Sequence, residues 1–428
     1  MSDYMFMLES HLNGDHNRVV NEVTAFANEA NVNVYLAGGA IRDMLGGFPI
    51  RDLDFSLEGQ HPKFAVKLAE RIGGKVIYED PYHRFTELLL PGGVTAQIAH
   101  CREEKYSKPG GKPQITAPVP IWADLKRRDF TIDGIALGLN RGSRGQLRDP
   151  SNGIADLENR EIRASYTGIF FDDPSRMLRL LRLKHRLGFA VEERTMRQFE
   201  NAKMDELHNL IAPATRFEEL KQIAQEPMAG EILKEYQATG LIGLFGAGLS
   251  GDKLDIHALE KLEKARKVIP PALFGASGGW LPFLEVLIAK LGARDKSEFI
   301  RNLGLDRKAT DALKKLPADA KKLESVLKSA RLQKPSQVYF ALESAPGDLI
   351  LRLLYNSGHR IVQDRIRNYI QKYLPAAQEV DAELEGKARI AAITTRLNAR
   401  PKKVPAPVIE AVPEPVAPAR GWMARRSS

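Results

Sequence analysis

Residues 32–43 read Val32-Asn33-Val34-Tyr35-Leu36-Ala37-Gly38-Gly39-Ala40-Ile41-Arg42-Asp43, and a short connection leads to Arg51-Asp52-Leu53-Asp54-Phe55-Ser56-Leu57. The apolar, β-branched run from Val32 to Ala37 predicts a strand, the two glycines break it, and Ala40 to Leu45 starts a helix. Leu53 to Leu57 predicts a second strand. A double glycine between strand and helix lets the backbone approach a phosphate chain and leaves the first helical N–H groups free to meet it. Asp52 and Asp54 are two residues apart, so on a strand both carboxylates point to one face. Two carboxylates aimed at one point suit a pair of Mg²⁺ ions, which can activate an attacking hydroxyl and neutralise charge on a phosphate under attack. Alone, a Gly-Gly is usually a turn and an Asp-x-Asp a solvated cap. In this order and context they read together as a phosphate and metal site.

Working outward, further strands are expected at Lys75 to Tyr78, Thr86 to Leu90 and Val94 to Ala99. A polar, Gly/Lys/Pro-rich mobile loop is expected over 101–120, with strand-like composition again from Phe130 to Leu139. After Phe171 the apolar spacing turns helical: Met177 to Leu187, Phe217 to Ala224, Glu231 to Leu241, Leu254 to Val268, Phe283 to Leu291, Asp306 to Leu327, Pro335 to Leu342 and Ile361 to Leu374. From Arg396 the chain carries seven Lys or Arg against two Glu and six prolines, the composition of a disordered basic tail. The fold class is therefore α+β: an α/β head over residues 1–164, a helical neck over 165–228, a helical body and tail over 229–395, and a Pro-rich end over 396–428.

A chain of 428 residues exceeds one ordinary core, and a net charge of +9 favours a polyanionic partner such as nucleic acid. Cys101 is the lone cysteine, which excludes an intrachain disulfide and a thiolate zinc site and fits a reducing cytoplasm. The first residues lack the basic and apolar regions of a signal peptide. The most apolar long window, Pro271 to Ala293, is interrupted by Gly278, Gly279, Pro282, Glu285 and Lys290, so a buried helix is expected there and no membrane span.

Four more runs bear on chemistry. Arg127-Arg128-Asp129-Phe130-Thr131-Ile132-Asp133 offers guanidinium forks for phosphate oxygens and, in Asp129, an acceptor for a ribose hydroxyl; a surface salt-bridge cluster is the plainer reading of such a run. Asp149-Pro150-Ser151-Asn152-Gly153-Ile154-Ala155-Asp156-Leu157 reads as a turn leading into a short strand and a hinge, with no catalytic part. In Asp172-Asp173-Pro174-Ser175-Arg176-Met177-Leu178-Arg179, Asp before Pro is a helix start with Asp173 as N-cap. Arg176, Arg179, Arg182 and Arg186 then fall on one basic helix face, while Asp173 and Arg176 together present an acceptor and a donor able to imitate a Watson–Crick edge. Arg216-Phe217-Glu218-Glu219-Leu220 is read as a structural brace.

In this order the motifs resemble the class II tRNA nucleotidyltransferase (CCA-adding enzyme) and bacterial poly(A) polymerase family, within the nucleotidyltransferase superfamily that includes DNA polymerase beta. The resemblance covers roughly residues 30–225. It implies Asp52 and Asp54 as catalytic metal ligands for Mg²⁺, and Gly38, Gly39 and Arg42 around the triphosphate. It further implies Arg128, Asp129, Asp173, Arg176 and Arg179 as nucleotide-binding residues. The implied reaction adds the 3′-terminal CCA to tRNA from CTP and ATP, with RNA as partner and release of pyrophosphate. Poly(A) addition is the alternative, mildly favoured by the basic tail, and a non-catalytic RNA-binding protein the remote one. Two departures stand out: Asp133 where the family usually has Asn, and Gln97 where superfamily members often have a further acidic residue. His100 is read as structural.

Overall fold

The computed structural model describes residues 4–59, 63–274, 278–380 and 384–399. Seven strands form one mixed sheet: β1 Asn33–Ala37, β2 Leu53–Glu58, β3 Lys75–Asp80, β4 Phe85–Leu90 and β5 Val94–His100, joined, after a detached hairpin of β6 Glu103–Lys105 and β7 Gln114–Thr116, by β8 Ala136–Gly138 and β9 Leu147–Arg148. Across the sheet the order is β3-β4-β5-β2-β1-β8-β9. β2 and β5 run parallel and the other neighbours antiparallel.

Strand alternation divides the sheet into two faces with different tasks. Val34, Leu36, Leu53, Phe55, Leu57, Ala96 and Ile98 enter the main core. There they meet helices Gly14–Glu29 and Phe64–Ile72. The first of these is opened by Asn13, whose Oδ1 accepts from the His16 N–H at 2.8 Å, and it buries Val19, Val20, Val23 and Ala27 at three- and four-residue spacing. The other face carries Asp54, Ser56, Gln97 and Glu87, and at its β1–β8 side Tyr35, Ala37 and Ala136 pack under helix Ile121–Lys126 with Cys101. The polar positions of β2 are thus kept out of the main core by the same two-residue period that buries Leu53 and Phe55.

The expected strand Phe130 to Leu139 is only partly one. Thr131–Asp133 is a tight 3₁₀ turn, and pairing is confined to Ala136–Gly138. The turn is fixed from outside its own sequence. The Thr131 hydroxyl donates to Asp156 Oδ2 at 2.6 Å, and Gly153 presses so close that a Cβ there would lie 2.1 Å from the Thr131 carbonyl oxygen. The Asp149 run that supplies this contact forms the helix Gly153–Glu158, with the Gly153 and Ile154 N–H groups donating to the Asp149 carboxylate, before the short strand Glu161–Ile162. Over 101–120 the polar excursion carries the β6–β7 hairpin.

From Ile169 onward the described residues are almost wholly helical, as the spacing predicts. Asp306 caps Arg307–Lys328 by accepting from the Ala309 N–H at 2.7 Å, and Asp255 caps Ile256–Arg266 in the same way. The window at Pro271 to Ala293 contains the buried helix Trp280–Ile288, and none of the described helices is long and apolar enough to cross a membrane. Helices Glu193–Met204, Ala293–Asn302 and Gly347–Asn356 lie outside the expected set. The helix Gly386–Asn398 extends to the first residues of the stretch expected as tail, and the remainder of that stretch, 400–428, lies outside the described residues.

Candidate active site

β1 ends at Gly38, whose φ of 68° and ψ of −131° only glycine adopts without strain, and Gly39 opens the helix Gly39–Gly46. The absence of a side chain serves a second purpose: a Cβ on Gly38 would sit 2.5 Å from Nη1 of Arg128. The guanidinium of Arg128 therefore lies directly on the glycine turn. Its Nη2 donates to Ser56 Oγ at 3.2 Å and to Asp124 Oδ2 at 3.1 Å, and its buried Nε has no hydrogen-bond partner. Ser56 is two residues beyond Asp54, so Arg128 bridges the glycine turn and the carboxylate face.

Asp52 and Asp54 are brought together as their spacing predicts. Neither has an ion-pair or hydrogen-bond partner among the described residues. Of the acids around them, Asp43, Asp124, Asp129 and Asp133 each meet an arginine. Burial, and then the negative charge of Asp52, push the Asp54 carboxyl up to about 6, against the opposing pull of Arg128 and Arg179. Two crowded, unpaired carboxylates form a donor set that fits a divalent cation, and Mg²⁺ commonly takes one or two protein carboxylates and completes its shell with phosphate oxygens and water. Among the described residues no three His, Cys, Asp or Glu side chains converge closely enough to hold a metal. Gln97 stands beside Asp54 in the β2–β5 register, and Glu87 stands beside Gln97 in the β4–β5 register. The sequence reading noticed Gln97 but missed Glu87, which only strand register brings into this row.

The arginines divide into reachable and committed groups. Arg42 is enclosed, its side chain 3% exposed, and it bonds Asp43 at 2.8 Å and Asp133 at 2.6 Å. Its guanidinium supports the glycine turn from beneath. Arg127 is likewise taken up by Asp124, Glu104 and the Arg102 carbonyl. Arg179 pairs with Asp129 at 2.5 Å and Asp133 at 3.0 Å but keeps 40% of its side chain exposed, enough to reach a ligand.

The expected basic face on helix Arg176–Leu187 is therefore largely an internal one. Arg182 bonds Glu219 at 2.7 Å, and Arg186 bonds Asp43 at 2.5 Å. Glu219 belongs to the run expected as a brace, and it acts as one. The Arg182–Glu219 pair ties two neck helices together, while Arg186–Asp43 and Arg51–Glu226, the latter at 3.0 Å, pin them to the sheet domain. Asp133 is the hub, since it takes Arg42 from one side and Arg179 from the other.

Asp173 and Arg176 form a separate corner. Asp173 does not cap the helix at its first turn; its Oδ1 accepts from the Ser175 N–H at 3.0 Å and Oγ at 2.6 Å, and the helix proper begins at Arg176. Asp173 Oδ2 stands 3.8 Å from Arg176 Nε, an ion pair too long for a hydrogen bond. Arg176 Nη1 instead donates to the hydroxyl of Tyr166 at 2.7 Å. This side of the corner faces the β6–β7 hairpin, where the Gly110 N–H donates to the Phe171 carbonyl.

With this geometry in view, residues 34–163 match the family described as the Poly A polymerase head domain. The chain is 36% identical over 229 residues to an A-adding tRNA nucleotidyltransferase of Halalkalibacterium halodurans, covering 53% of each protein. It is 32% identical over 246 residues to a CC-adding tRNA nucleotidyltransferase of Deinococcus radiodurans, covering 56% of this chain and 62% of that one. The chain spans about half the length of the curated relatives it matches. A solved apo CCA-adding enzyme superposes with a TM-score of 0.56 at 24% identity, over 94% of this chain and 96% of that one, so the head and the helical remainder share its fold.

Proposed function

We propose that this protein is a tRNA nucleotidyltransferase that adds the terminal CCA from CTP and ATP. The observation that carries the reading is the unpaired Asp52–Asp54 couple facing a glycine turn on which the Arg128 guanidinium rests. The relatives named as tRNA nucleotidyltransferases supply the substrate class. The RNA 3′-oxygen would form the new bond to the α-phosphorus while the α–β bridging bond breaks and pyrophosphate leaves. A divalent cation held by Asp52 and Asp54, taken here as Mg²⁺, would supply Lewis acidity at the α-phosphate and lower the pKa of the 3′-hydroxyl.

The chain's own residues bind and orient. Gly38 and Gly39 let the triphosphate approach the N–H groups that open helix Gly39–Gly46, and Arg128 and Arg179 meet its oxygens with planar, two-pronged donors. Arg42 acts from below by holding Asp43 and Asp133 in place. Asp129, released from Arg179 as that guanidinium turns to phosphate, is free to accept from a ribose hydroxyl. Asp173 and Arg176 present acceptor and donor to the base edge. The helices beyond Ala229, and the positive surplus of the chain, supply the surface for the tRNA body. A lone, buried cysteine is in keeping with a cytoplasmic tRNA enzyme.

The relatives named as A-adding and as CC-adding favour a second reading, in which the chain completes only part of the triplet. Transcripts of one tRNA ending before CCA, after the first C and after the second C, each incubated with Mg²⁺, CTP and ATP together, separate the two. Extension of all three to a finished CCA supports the first reading. Extension of the last alone by one A, or arrest after CC, supports the second, and long A-tails on any RNA would show a poly(A) polymerase.

A further inference from the structure

Tyr166 lies in the connection between the sheet domain and the helices, in no motif singled out from the sequence. Its hydroxyl accepts from Arg176 Nη1 at 2.7 Å and donates to Asp172 Oδ2 at 2.9 Å, and its ring lies beneath the same guanidinium, whose carbon is 5.8 Å from the ring centroid. Asp172, Tyr166 and Arg176 thus form a continuous line of charge-assisted hydrogen bonds that ends beside Asp173.

We infer that Tyr166 is a positioning residue for base selection, fixing the plane of the Arg176 guanidinium so that its remaining N–H groups and the Asp173 carboxylate face the edge of an incoming cytosine or adenine. This rests on the proposed nucleotidyltransferase reading. The argument is one of geometry. An arginine side chain has many rotamers, and a two-pronged reading of a base edge needs one orientation. The usual partner for that task, the neighbouring Asp173, holds Arg176 only loosely at 3.8 Å and spends its other oxygen on Ser175. The close contact goes to Tyr166. Arg176 is nearly enclosed, with 9% of its side chain exposed, and beside the Tyr166 hydroxyl its Nη1 has the Ile169 carbonyl at a long 3.5 Å, so losing the Tyr166 acceptor would leave a buried donor weakly held and freer to turn. Burial keeps the phenol protonated at any working pH, with its pKa pushed up to about 12, so the hydroxyl remains a donor to Asp172. The second tyrosine of this corner, Tyr106 on the hairpin excursion, spends its hydroxyl on Glu104, to which it donates at 3.1 Å.

The test is Tyr166→Phe in the full chain, with single-nucleotide incorporation measured for CTP, ATP, GTP and UTP on the tRNA transcripts above. The ring and its packing are retained and only the hydroxyl is lost. The ratio of kcat/KM for CTP or ATP over that for GTP or UTP should fall about tenfold, mostly through KM for the correct nucleotides. Asp172→Asn should shift the ratio in the same direction by less, and it serves as the reporter if the phenylalanine variant folds poorly. A merely structural tyrosine would lower all four nucleotides alike. An equal loss across the four, or an unchanged ratio in both variants, overturns the inference. If the wild-type chain incorporates no nucleotide at all, the functional reading beneath it has failed instead.

Discussion

Replacing Asp133 by Asn alters one proton-sized feature of the molecule and removes the charge on which two arginines depend. Asp133 meets Arg42 at 2.6 Å with both side chains 3% exposed, and Arg179 at 3.0 Å. Removing one partner of a buried pair costs about 3–5 kcal/mol. Asparagine keeps an acceptor oxygen, which offsets part of that, and the Arg179 contact is discounted because its side chain is 40% exposed. The Arg42 contact alone then sets a loss of about 2–3 kcal/mol at pH 7. Burial by itself would raise the Asp133 carboxyl, but Arg42 and Arg179 outweigh it and hold the group well below the usual range. A depressed pKa gives stability that is present above the unfolded value near ~4 and lost as pH falls through the folded value, so the gap between wild type and variant should start to narrow below about pH 4 and close only at the folded value. Urea unfolding followed by far-ultraviolet circular dichroism measures the loss across pH 3 to 8. A variant within about 0.5 kcal/mol of wild type at pH 7 would refute the hub.

Two other substitutions probe the same region. Asp54→Asn in metal-free buffer should stabilise the chain by about 1–2 kcal/mol at pH 7, because burial and Asp52 penalise the native carboxylate. The native pKa is raised to about 6, so the advantage should be full above pH 6 and gone below about 4, as denaturant midpoints at three pH values would show. Gly153→Ala should cost at least about 2 kcal/mol, since its Cβ meets Thr131 backbone at 2.1 Å and must displace the turn that carries Asp133. Native stability of this variant by urea titration checks the figure, and its nucleotide KM should rise with the displaced turn.

The head was legible because two periods coincide in one short stretch. Strand alternation set Leu53, Phe55 and Leu57 against Asp54 and Ser56, and the glycine pair marked where β1 must turn. What stayed hidden depends on contacts distant in sequence. Periodicity placed Arg179, Arg182 and Arg186 on one helix face but could not say what that face meets. Their partners, Asp129 with Asp133, Glu219, and Asp43, are carboxylates of the chain itself, so a stripe that resembles a nucleic-acid surface is mostly a seam between head and neck. The same blindness put a strand at Phe130, where Gly153 and Asp156 impose a turn. Asp133 shows in the sequence only as a departure from the Asn usual in the family it resembles, and the buried arginines on either side give its charge a task. Tyr166 had no sequence signal, because a lone tyrosine before a helix shows nothing until its two carboxylate and guanidinium neighbours are in place.

The central claim is that Asp52 and Asp54 carry nucleotide transfer to a tRNA 3′ end. Single-turnover incorporation of labelled ATP onto a tRNA ending in CC, with Mg²⁺, tests it in wild type, Asp52→Ala and Asp54→Ala. The account predicts one added A in the wild type and a fall of at least about a thousandfold in either variant, with the neck pairs and the fold retained. Variants that incorporate within tenfold of wild type would contradict it.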